Sequence, residues 1–305
     1  MSDTVLAIIE LDRFPKEVTA RAAWLAKLYG CRLHLLLSDP TVGILRHRLI
    51  VSNEAKAISK DITTAQETFL AELADDVAGA DGMTVTSAIT HDRPAFDAII
   101  AAALELEPKF VVKGTHFHSP AERATFADVD WQLIRKLDFP LWLVKSGEWE
   151  DELKIVAAVD PTHAHDKTGS LDQSIVAMGK EIAERSGGKL MLLHTYQRLV
   201  EIGHYAMFHF KPVKVPVEEL DENIKTEHRK LLDALAEAHD VPQDDVHQLP
   251  GRTRELLPTF ARAHGANLVI MGAVSRAGLK QRAIGSTAEQ VLDHLPCDIL
   301  IARSG

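Results

Sequence analysis

The sequence predicts an α/β protein of two tandem flavodoxin-like or Rossmann-like units, each an open five-stranded, mainly parallel sheet with helices on both faces. Three observations support this prediction: apolar runs of strand length, helical periodicity between those runs, and an internal repeat. Segments 113–146 and 271–304 align without a gap, and Gly114, Gln132 and Ser146 have identical counterparts in the second segment. We therefore expect two copies of one unit.

Each half begins with an apolar run that ends in an aspartate, Val5 to Asp12 in the first half and Ile155 to Asp160 in the second. A further run, 30–37, corresponds to 187–194. Uninterrupted apolar runs bounded by turn residues are typical of strands buried on both faces of a parallel sheet. These runs are therefore predicted to be the first and second strands of each sheet.

Between the runs, apolar residues recur at helical spacing. They lie at Val18, Ala22, Leu25 and Leu28, at Ile58, Ile62, Ala65, Phe69, Leu73 and Val77, and at Ile224, Leu231, Leu235 and Ala238. Third strands are predicted at 83–89 and 245–249, so strands and helices alternate in each half, which favours right-handed crossovers. The acidic stretch 147–152 is the predicted linker, which places the domains at 1–147 and 153–305.

Composition excludes several classes of function. The formal net charge of -10 disfavours broad attraction to nucleic acid or to an anionic membrane. The two cysteines, Cys31 and Cys297, form no CxxC pair, so no disulfide framework or cysteine zinc site is indicated. No apolar stretch approaches the roughly 20 residues of a membrane span, and the first residues lack the features of a signal peptide. We expect a cytoplasmic protein.

Ligands of open parallel sheets bind beyond the carboxyl ends of the strands, near the reversal of strand order. In the second half a basic loop follows the fourth strand, and the backbone N–H groups at the start of the next helix can bind an anion. The alternative is that Ser286 or Thr287 only caps this helix and that the basic residues form a solvated face. The candidate ligand-binding residues are Asp160, Pro161, Thr195, Gly272, Ser275, Arg276, Lys280, Gly285, Ser286 and Thr287.

The basic loop resembles the nucleotide loop of the universal stress protein family, G-x2-G-x9-G-[ST]. Gly272, Ser275 and Gly285 stand at the three glycine positions, and the tail AEQVLDHLPCDILIA resembles the closing helix and strand of the family. The resemblance covers essentially the whole chain, and segment 130–146 is similar to the E-type tandem subgroup in particular. It implies a role in stress response and implies that Asp160 holds the adenosine end of ATP.

Both halves depart from the family pattern. Ser275 replaces the glycine that would let the backbone approach phosphate, so ATP in the second domain is one alternative among ligands. In the first half Phe117 replaces the same glycine and Ala127-Asp128 replaces Gly285-Ser286, which sets a carboxylate where phosphate would lie. We expect 1–147 to be a degenerate domain that does not bind ATP phosphates, and 153–305 to keep a residual nucleotide-loop motif.

Two histidines, His116 and His118, form an H-x-H motif after the fourth strand of the first half. On extended backbone such side chains share a face, and neutral imidazole is a common metal ligand. His47 or His91 could supply a third ligand. Because the E-type subgroup is associated with zinc near this position, zinc in the first domain is one hypothesis, and surface histidines on a polar loop are the other.

Segment 196–216 follows the second strand of the second half and is predicted to form an apolar lid at the carboxyl rim. Its large apolar residues are Tyr205, Met207, Phe208 and Phe210. The alternative is a plug packed on the long helix. The E-type subgroup is associated with acyl-chain or lipid-like ligands in the second half, and an apolar lid beside a basic loop suits an amphiphile with an anionic head.

The sequence shows no signature of a catalytic nucleophile, P-loop, zinc protease or dinucleotide site. We therefore expect the second domain to bind an amphiphilic anion or a nucleotide without catalysis. Two alternatives stay open: an ATP-binding protein with weak ATPase activity at most, and a ligand-free interaction scaffold. The resemblance also implies that the two units pair as an internal pseudo-dimer, and a homodimer is compatible with it. The protein partner is not specified.

Overall fold

The computed structural model describes residues 3–48, 53–78, 82–116, 128–145, 147, 149, 152–162, 170–198, 217–272, 274–275, 283–284, 288 and 291–303. Two compact units, residues 1–148 and 149–305, make up the chain. Each unit is built on a parallel five-stranded sheet. The predicted fold class is therefore confirmed.

The first unit alternates strands and helices. Its elements are β1 (Thr4–Ile9), α1 (Pro15–Tyr29), β2 (Arg32–Ser38), α2 (Thr41–Arg48), α3 (Asn53–Ala78), β3 (Val85–Thr90), α4 (Ala95–Leu106), β4 (Phe110–Gly114), α5 (Val129–Lys136) and β5 (Leu141–Val144). The strands lie in the order β3-β2-β1-β4-β5, and every neighbouring pair is parallel. Helix α2 is an addition that the apolar periodicity does not predict.

The second unit repeats this strand order. Its elements are β6 (Lys154–Ala158), α6 (Ser170–Ser186), β7 (Lys189–Tyr196), α7 (Val217–Ala238), a 3-10 turn (Gln243–Asp245), β8 (Val246–Pro250), α8 (Thr253–Ala263), β9 (Leu268–Met271), β10 (Val274–Ser275), β11 (Ala283–Ile284) and β12 (Asp298–Ile301). The parallel sheet runs β8-β7-β6-β9-β12. The short strands β10 and β11 form a separate antiparallel pair.

The sequence explains where several elements begin and end. Strands β1 and β9 are buried throughout because their runs are apolar on both faces. Helix α1 starts with Pro15, whose missing N–H costs nothing in the first turn, and ends before Gly30, which adopts a φ of 66°. Gly187 follows α6 with a φ of 69° in the same role. None of the described helices combines the length and apolar character needed to cross a bilayer.

The strand registers show which residues of the two units are equivalent. Val5 pairs with Phe110 between β1 and β4, and Ile155 pairs with Leu268 between β6 and β9. The strand order reverses between these first and fourth strands, so their carboxyl ends border the expected ligand crevice. Counted from the paired residues, the counterpart of Asp160 in the first unit is Glu10.

The two runs that the sequence matched do contain the equivalent first strands, but the aspartates that end them, Asp12 and Asp160, are not equivalent. Strand β1 ends at Ile9, and Asp12 lies beyond it with its side chain 81% exposed. Both runs end in an aspartate, but the first run extends three residues beyond its strand and the second run extends two. The similar composition of the two runs suggests a wrong alignment of the units, and the backbone pairing gives the correct one.

Candidate functional site

Asp160 lies two residues beyond the end of β6, at the edge of the crevice in the second unit. Its backbone N–H donates to Oδ1 of Asp172 in the first turn of α6, at 3.0 Å. Its own Oδ1 accepts a hydrogen bond of 2.6 Å from the hydroxyl of Thr162. These two bonds hold a half-buried carboxylate at the carboxyl end of the first strand, where the sequence predicts a ligand contact.

A pair of histidines lies next to this carboxylate. His194, near the carboxyl end of β7, is buried, and its Nδ1 lies 3.1 Å from the carbonyl oxygen of Val159. Its Nε2 lies 2.9 Å from Nδ1 of His228 on α7. Burial lowers the pKa of both histidines below the usual value, although the Asp160 carboxylate acts in the opposite direction. The pair is therefore neutral near pH 7.

Thr195 points to the opposite face of β7 from His194, because side chains alternate along a strand. Its hydroxyl lies 2.5 Å from the hydroxyl of Thr253, the first residue of α8. This contact joins the carboxyl end of the strand to the start of a helix. The structure thus gives Thr195 a packing role beside its predicted role in ligand binding.

The two glycines that end the fourth strands also have packing roles. A Cβ atom on Gly272 would lie 2.5 Å from Cδ2 of Leu171, and one on Gly114 would lie 2.2 Å from the carbonyl oxygen of Arg13. The contact at Gly114 is with backbone, so that position needs glycine whether or not a ligand binds, whereas at Gly272 the leucine side chain could move to accept a Cβ. After Gly272, Ser275 pairs with Ala283 across β10 and β11, which brings the two ends of the basic loop together.

A cleft of about 420 Å³ opens between α7 and the carboxyl ends of β7 and β8. Its polar lining carries charges of both signs. The residues are Tyr196, Arg198, Glu218, Asp221, Glu222, Lys225, Gln248 and Pro250. The Lys225 ammonium donates to both carboxylate oxygens of Glu222, at 2.9 and 3.2 Å. The ring of Tyr196 connects the cleft to the histidine pair, since it meets the His228 ring edge-on at 5.8 Å.

In the first unit the equivalent place holds a buried ion cluster. The ammonium of Lys113, only 1% exposed, lies 2.6 Å from Oε2 of Glu10 and 2.6 Å from Oδ1 of Asp130. It also donates to the carbonyl oxygen of Gly114 at 3.0 Å. The other carboxylate oxygen of Asp130 accepts a hydrogen bond of 2.6 Å from Thr115. We name Glu10, Lys113 and Asp130 the buried ion cluster.

Burial and attraction compete in this cluster. Burial disfavours the charged form of Lys113, but attraction to Asp130 and Glu10 outweighs it and raises the pKa of the ammonium. Burial also raises the pKa of the Glu10 carboxyl, more than the neighbouring Lys113 lowers it. The Lys113 ammonium therefore offsets much of the free-energy cost of burying the two carboxylates in the first unit.

At the described positions equivalent to Lys113 and Asp130, the second unit lacks this cluster. In the ungapped alignment of the repeats, Met271 stands at the position of Lys113 and Ala288 at the position of Asp130, and both are buried. At the N-terminus of α5, Asp128 accepts a hydrogen bond from the N–H of Asp130 and so caps the helix with a carboxylate, whereas the aligned residue of the second half of the sequence is Ser286. The two crevices have diverged in charge.

Several predicted residues lie outside the described part of the chain. These are Arg276, Lys280, Gly285, Ser286 and Thr287 of the basic loop, Tyr205, Met207, Phe208 and Phe210 of the lid, His118 and Phe117. The described residues bring together Asp160, Pro161 and Gly272 at one edge of the sheet, as the strand order requires.

The zinc hypothesis stays a prediction. Among the described residues no group of three histidine, cysteine or acidic side chains is placed to hold a metal ion. His91, one of the two residues suggested as a third ligand, has its Nδ1 2.9 Å from the carbonyl oxygen of Asp39. That contact occupies one of its two ring nitrogens.

Comparison with known proteins adds the family. The sequence profile of the Universal stress protein family matches residues 1–145 and again residues 154–303. The chain belongs to the universal stress protein family. It is a tandem member of this stress-response family, with one family domain in each unit.

Two relatives are similar to this universal stress protein over more than half of its length. This chain is 26% identical to Universal stress protein E of Escherichia coli (strain K12) over 99% of this chain and 94% of the relative. It is 28% identical to the Universal stress protein E homolog of Haemophilus influenzae, over 62% of this chain and 60% of the relative. The E-type resemblance predicted from sequence is thereby confirmed.

Solved structures agree on the fold. A functionally unknown protein from Pseudomonas aeruginosa PAO1 matches with a TM-score of 0.70 at 22% identity, over 99% of this chain and 92% of that chain. A universal stress protein from Archaeoglobus fulgidus DSM 4304 matches with a TM-score of 0.64 at 16% identity, over 100% and 97%. At these identities the likeness concerns the fold alone.

Sequence reasoning missed the two groups of charged or titratable residues that distinguish the units of this universal stress protein. Lys113 is a lone cation in an apolar strand, and it aligns with Met271, while Asp130 aligns with Ala288. The repeat alignment therefore shows two charged residues of the first half that the second half lacks, which could have indicated the buried ion cluster. His194 is a lone polar residue at the end of an apolar run. Its partner His228 carried no signal, because that contact joins distant segments.

Proposed function

We propose that the second unit of this universal stress protein binds a small anionic molecule at the carboxyl edge of its sheet, without transforming it. The observation that carries this proposal is the contrast between the two crevices. The first unit fills the position with its own ion cluster, whereas the second unit has Met271 and Ala288 there and keeps Asp160 at the rim.

The buried ion cluster argues against an anionic ligand in the first unit. Three oxygens, from Glu10, Asp130 and Gly114, already surround the Lys113 ammonium. The carboxylate of Asp128 caps the helix that would otherwise offer its N–H groups to phosphate. An incoming anion would meet carboxylates at both places, so we propose a structural role for the first unit.

The class of ligand is either a nucleotide or an amphiphile with an anionic head. For the anionic group we propose the basic loop, with Arg276, Lys280, Gly285, Ser286 and Thr287, on the grounds of sequence. The apolar residues around Tyr205 to Phe210 would cover the rest of an amphiphile. The described cleft beside Tyr196 is polar and suits a head group better than an acyl chain.

The test is binding to the whole protein, with variants at equivalent positions of the two units. Native mass spectrometry of the untreated protein, followed by organic extraction, would show a ligand carried from the cell. Calorimetric titrations with ATP and with hexadecyl phosphate would separate a nucleotide from an amphiphile. We expect the double variant Arg276→Ala/Lys280→Ala to weaken binding of whichever probe binds.

The matched control uses equivalent acids of the two units. Asp160→Asn should alter binding, whereas Glu10→Gln, its counterpart in the first unit, should leave the affinity unchanged. A protein that carries no extractable ligand and binds neither probe at millimolar concentration would contradict the proposal and favour a ligand-free scaffold. Release of phosphate from ATP by wild type but not by Asp160→Asn would instead support an ATPase.

A further inference from the structure

The histidine pair of the second unit fixes the position of its own protons. A carbonyl oxygen can only accept a hydrogen bond, so Nδ1 of His194, 3.1 Å from the oxygen of Val159, carries the proton. A neutral imidazole has one N–H, so Nε2 of His194 must accept. Nδ1 of His228, 2.9 Å away, is therefore the donor in the second contact.

This chain of hydrogen bonds leaves Nε2 of His228 with an unshared lone pair. Among the described residues, no side chain or backbone group donates to that nitrogen. Most free neutral imidazoles carry their proton on Nε2, so the contact with Val159 imposes the less common tautomer on both rings. The half-buried edge of His228 is thus a hydrogen-bond acceptor.

The groups that face His228 come from three elements. Asp160 lies at the end of β6 near enough to favour a positive charge on the ring, and the Tyr196 ring of β7 packs edge-on at 5.8 Å. On α7, the ammonium of Lys225 is bonded to Glu222 and points into the cleft. An acceptor nitrogen beside an acceptor carboxylate is suited to a partner that brings hydrogen-bond donors.

We propose that His228 determines ligand specificity in the second unit by accepting, through Nε2, a hydrogen bond from a hydroxyl or amino group of the bound molecule. This role rests on the proposed function and deepens it. The ligand then combines an anionic group with a donor group that contacts Asp160 and His228. A nucleotide and a hydroxyl-bearing phospholipid share that chemistry, whereas an alkyl phosphate without donors lacks it.

The first test needs no ligand. Nitrogen-15 NMR of the whole protein labelled at histidine reports which ring nitrogen carries the proton. We expect His194 and His228 both to show the Nδ1–H form near pH 7, assigned with His194→Gln and His228→Gln variants. An Nε2–H form at His228 would overturn the proposal, because its exposed nitrogen would then be a donor.

The second test compares ligands with and without a donor. Calorimetry would use ATP and lysophosphatidic acid, which carry hydroxyl groups, and hexadecyl phosphate, which carries none. His228→Asn keeps an N–H for His194 but removes the ring nitrogen at the ε position, and His228→Gln places an oxygen there. We expect His228→Asn to weaken a donor-bearing probe about threefold to tenfold, as one hydrogen bond predicts, and His228→Gln to weaken it less.

The outcomes separate this role from the proposed function. If wild type binds a donor-bearing probe and His228→Asn binds it equally well, the role of His228 is refuted and the binding function stands. If wild type prefers hexadecyl phosphate to lysophosphatidic acid, the role is likewise refuted. If no probe binds wild type, the binding function itself fails. His239→Asn, beyond the end of α7, is the control and should bind as wild type does.

Discussion

Replacing Lys113 with methionine, the residue of the second unit at the equivalent position, should strongly destabilise the first unit. Methionine is unbranched and close to lysine in length, but it leaves the carboxylates of Glu10 and Asp130 without their cation. Removing one partner of a buried ion pair costs about 3–5 kcal/mol. For a domain whose urea slope is about 2.5 kcal/mol/M, a loss of about 4 kcal/mol lowers the midpoint by roughly 1.5 M.

Tryptophan fluorescence during urea unfolding at pH 7 measures this loss. Trp24, Trp131 and Trp142 lie in the first unit and Trp149 lies at the start of the second, so the signal reports mainly on the first unit. The control Lys16→Met, at an exposed lysine, should change stability by no more than about 0.5 kcal/mol.

A variant without any charge in the buried ion cluster shows whether Lys113→Met destabilises the unit through unpaired charges or through poor packing. The triple variant Glu10→Gln/Lys113→Met/Asp130→Asn has no buried charge and should recover more than half of the loss. A Lys113→Met variant that loses less than about 1 kcal/mol would refute the reasoning, and so would a triple variant less stable than the single one. Either result would mean that the carboxylates are solvated or protonated without Lys113.

Three further results are expected. The Gly114→Ala substitution should lower the free energy of unfolding by about 1–3 kcal/mol, which is more than Gly272→Ala should. A Cβ at position 114 would clash with a backbone carbonyl oxygen, whereas one at position 272 would meet a leucine methyl group that can move; urea unfolding measures both variants. The pKa of Lys113 is raised, so its stabilisation is complete below about pH 10.5 and is lost as pH rises further; urea midpoints above that pH should approach those of Lys113→Met. The pKa values of His194 and His228 are lowered, so below about pH 6.5 the unfolded chain binds protons first and the folded second unit loses stability. Amide hydrogen exchange in β7, corrected for the pH dependence of the intrinsic exchange rate, should therefore be faster at pH 5.5 than at pH 7.

The sequence predicted the fold well because the fold depends on patterns that many residues share. Strands β1, β2, β6 and β7 are apolar runs, and the helices between them repeat at helical spacing, so no single residue decides the result. The alignment of the two units was misleading at one place, because Asp12 and Asp160 end similar runs although the counterpart of Asp160 is Glu10. Only backbone pairing could show this.

The candidate site was predicted in part, since its two best-defined constellations depend on contacts between distant segments. Glu10, Lys113 and Asp130 come from β1, β4 and α5, and each alone looks like a stray charge in or beside an apolar element. His194 and His228 come from a strand and a helix that no spacing rule connects. Strand order predicts which edge holds a site, but the pairing of side chains across it follows from packing.

The residues that differ between the two crevices depend on one another. Asp130 is buried and paired with the Lys113 ammonium, and the same ammonium contacts Glu10, whose carboxyl pKa is raised by burial. A lone Asp130 or a lone Lys113 would leave an uncompensated buried charge, which costs several kcal/mol. The first unit therefore holds these charges as a set, and the second unit, with Met271 and Ala288, lacks the set. The second unit therefore has no charged side chain of its own at the positions of Lys113 and Asp130, and this difference supports our proposal that the second unit is the one that binds a ligand.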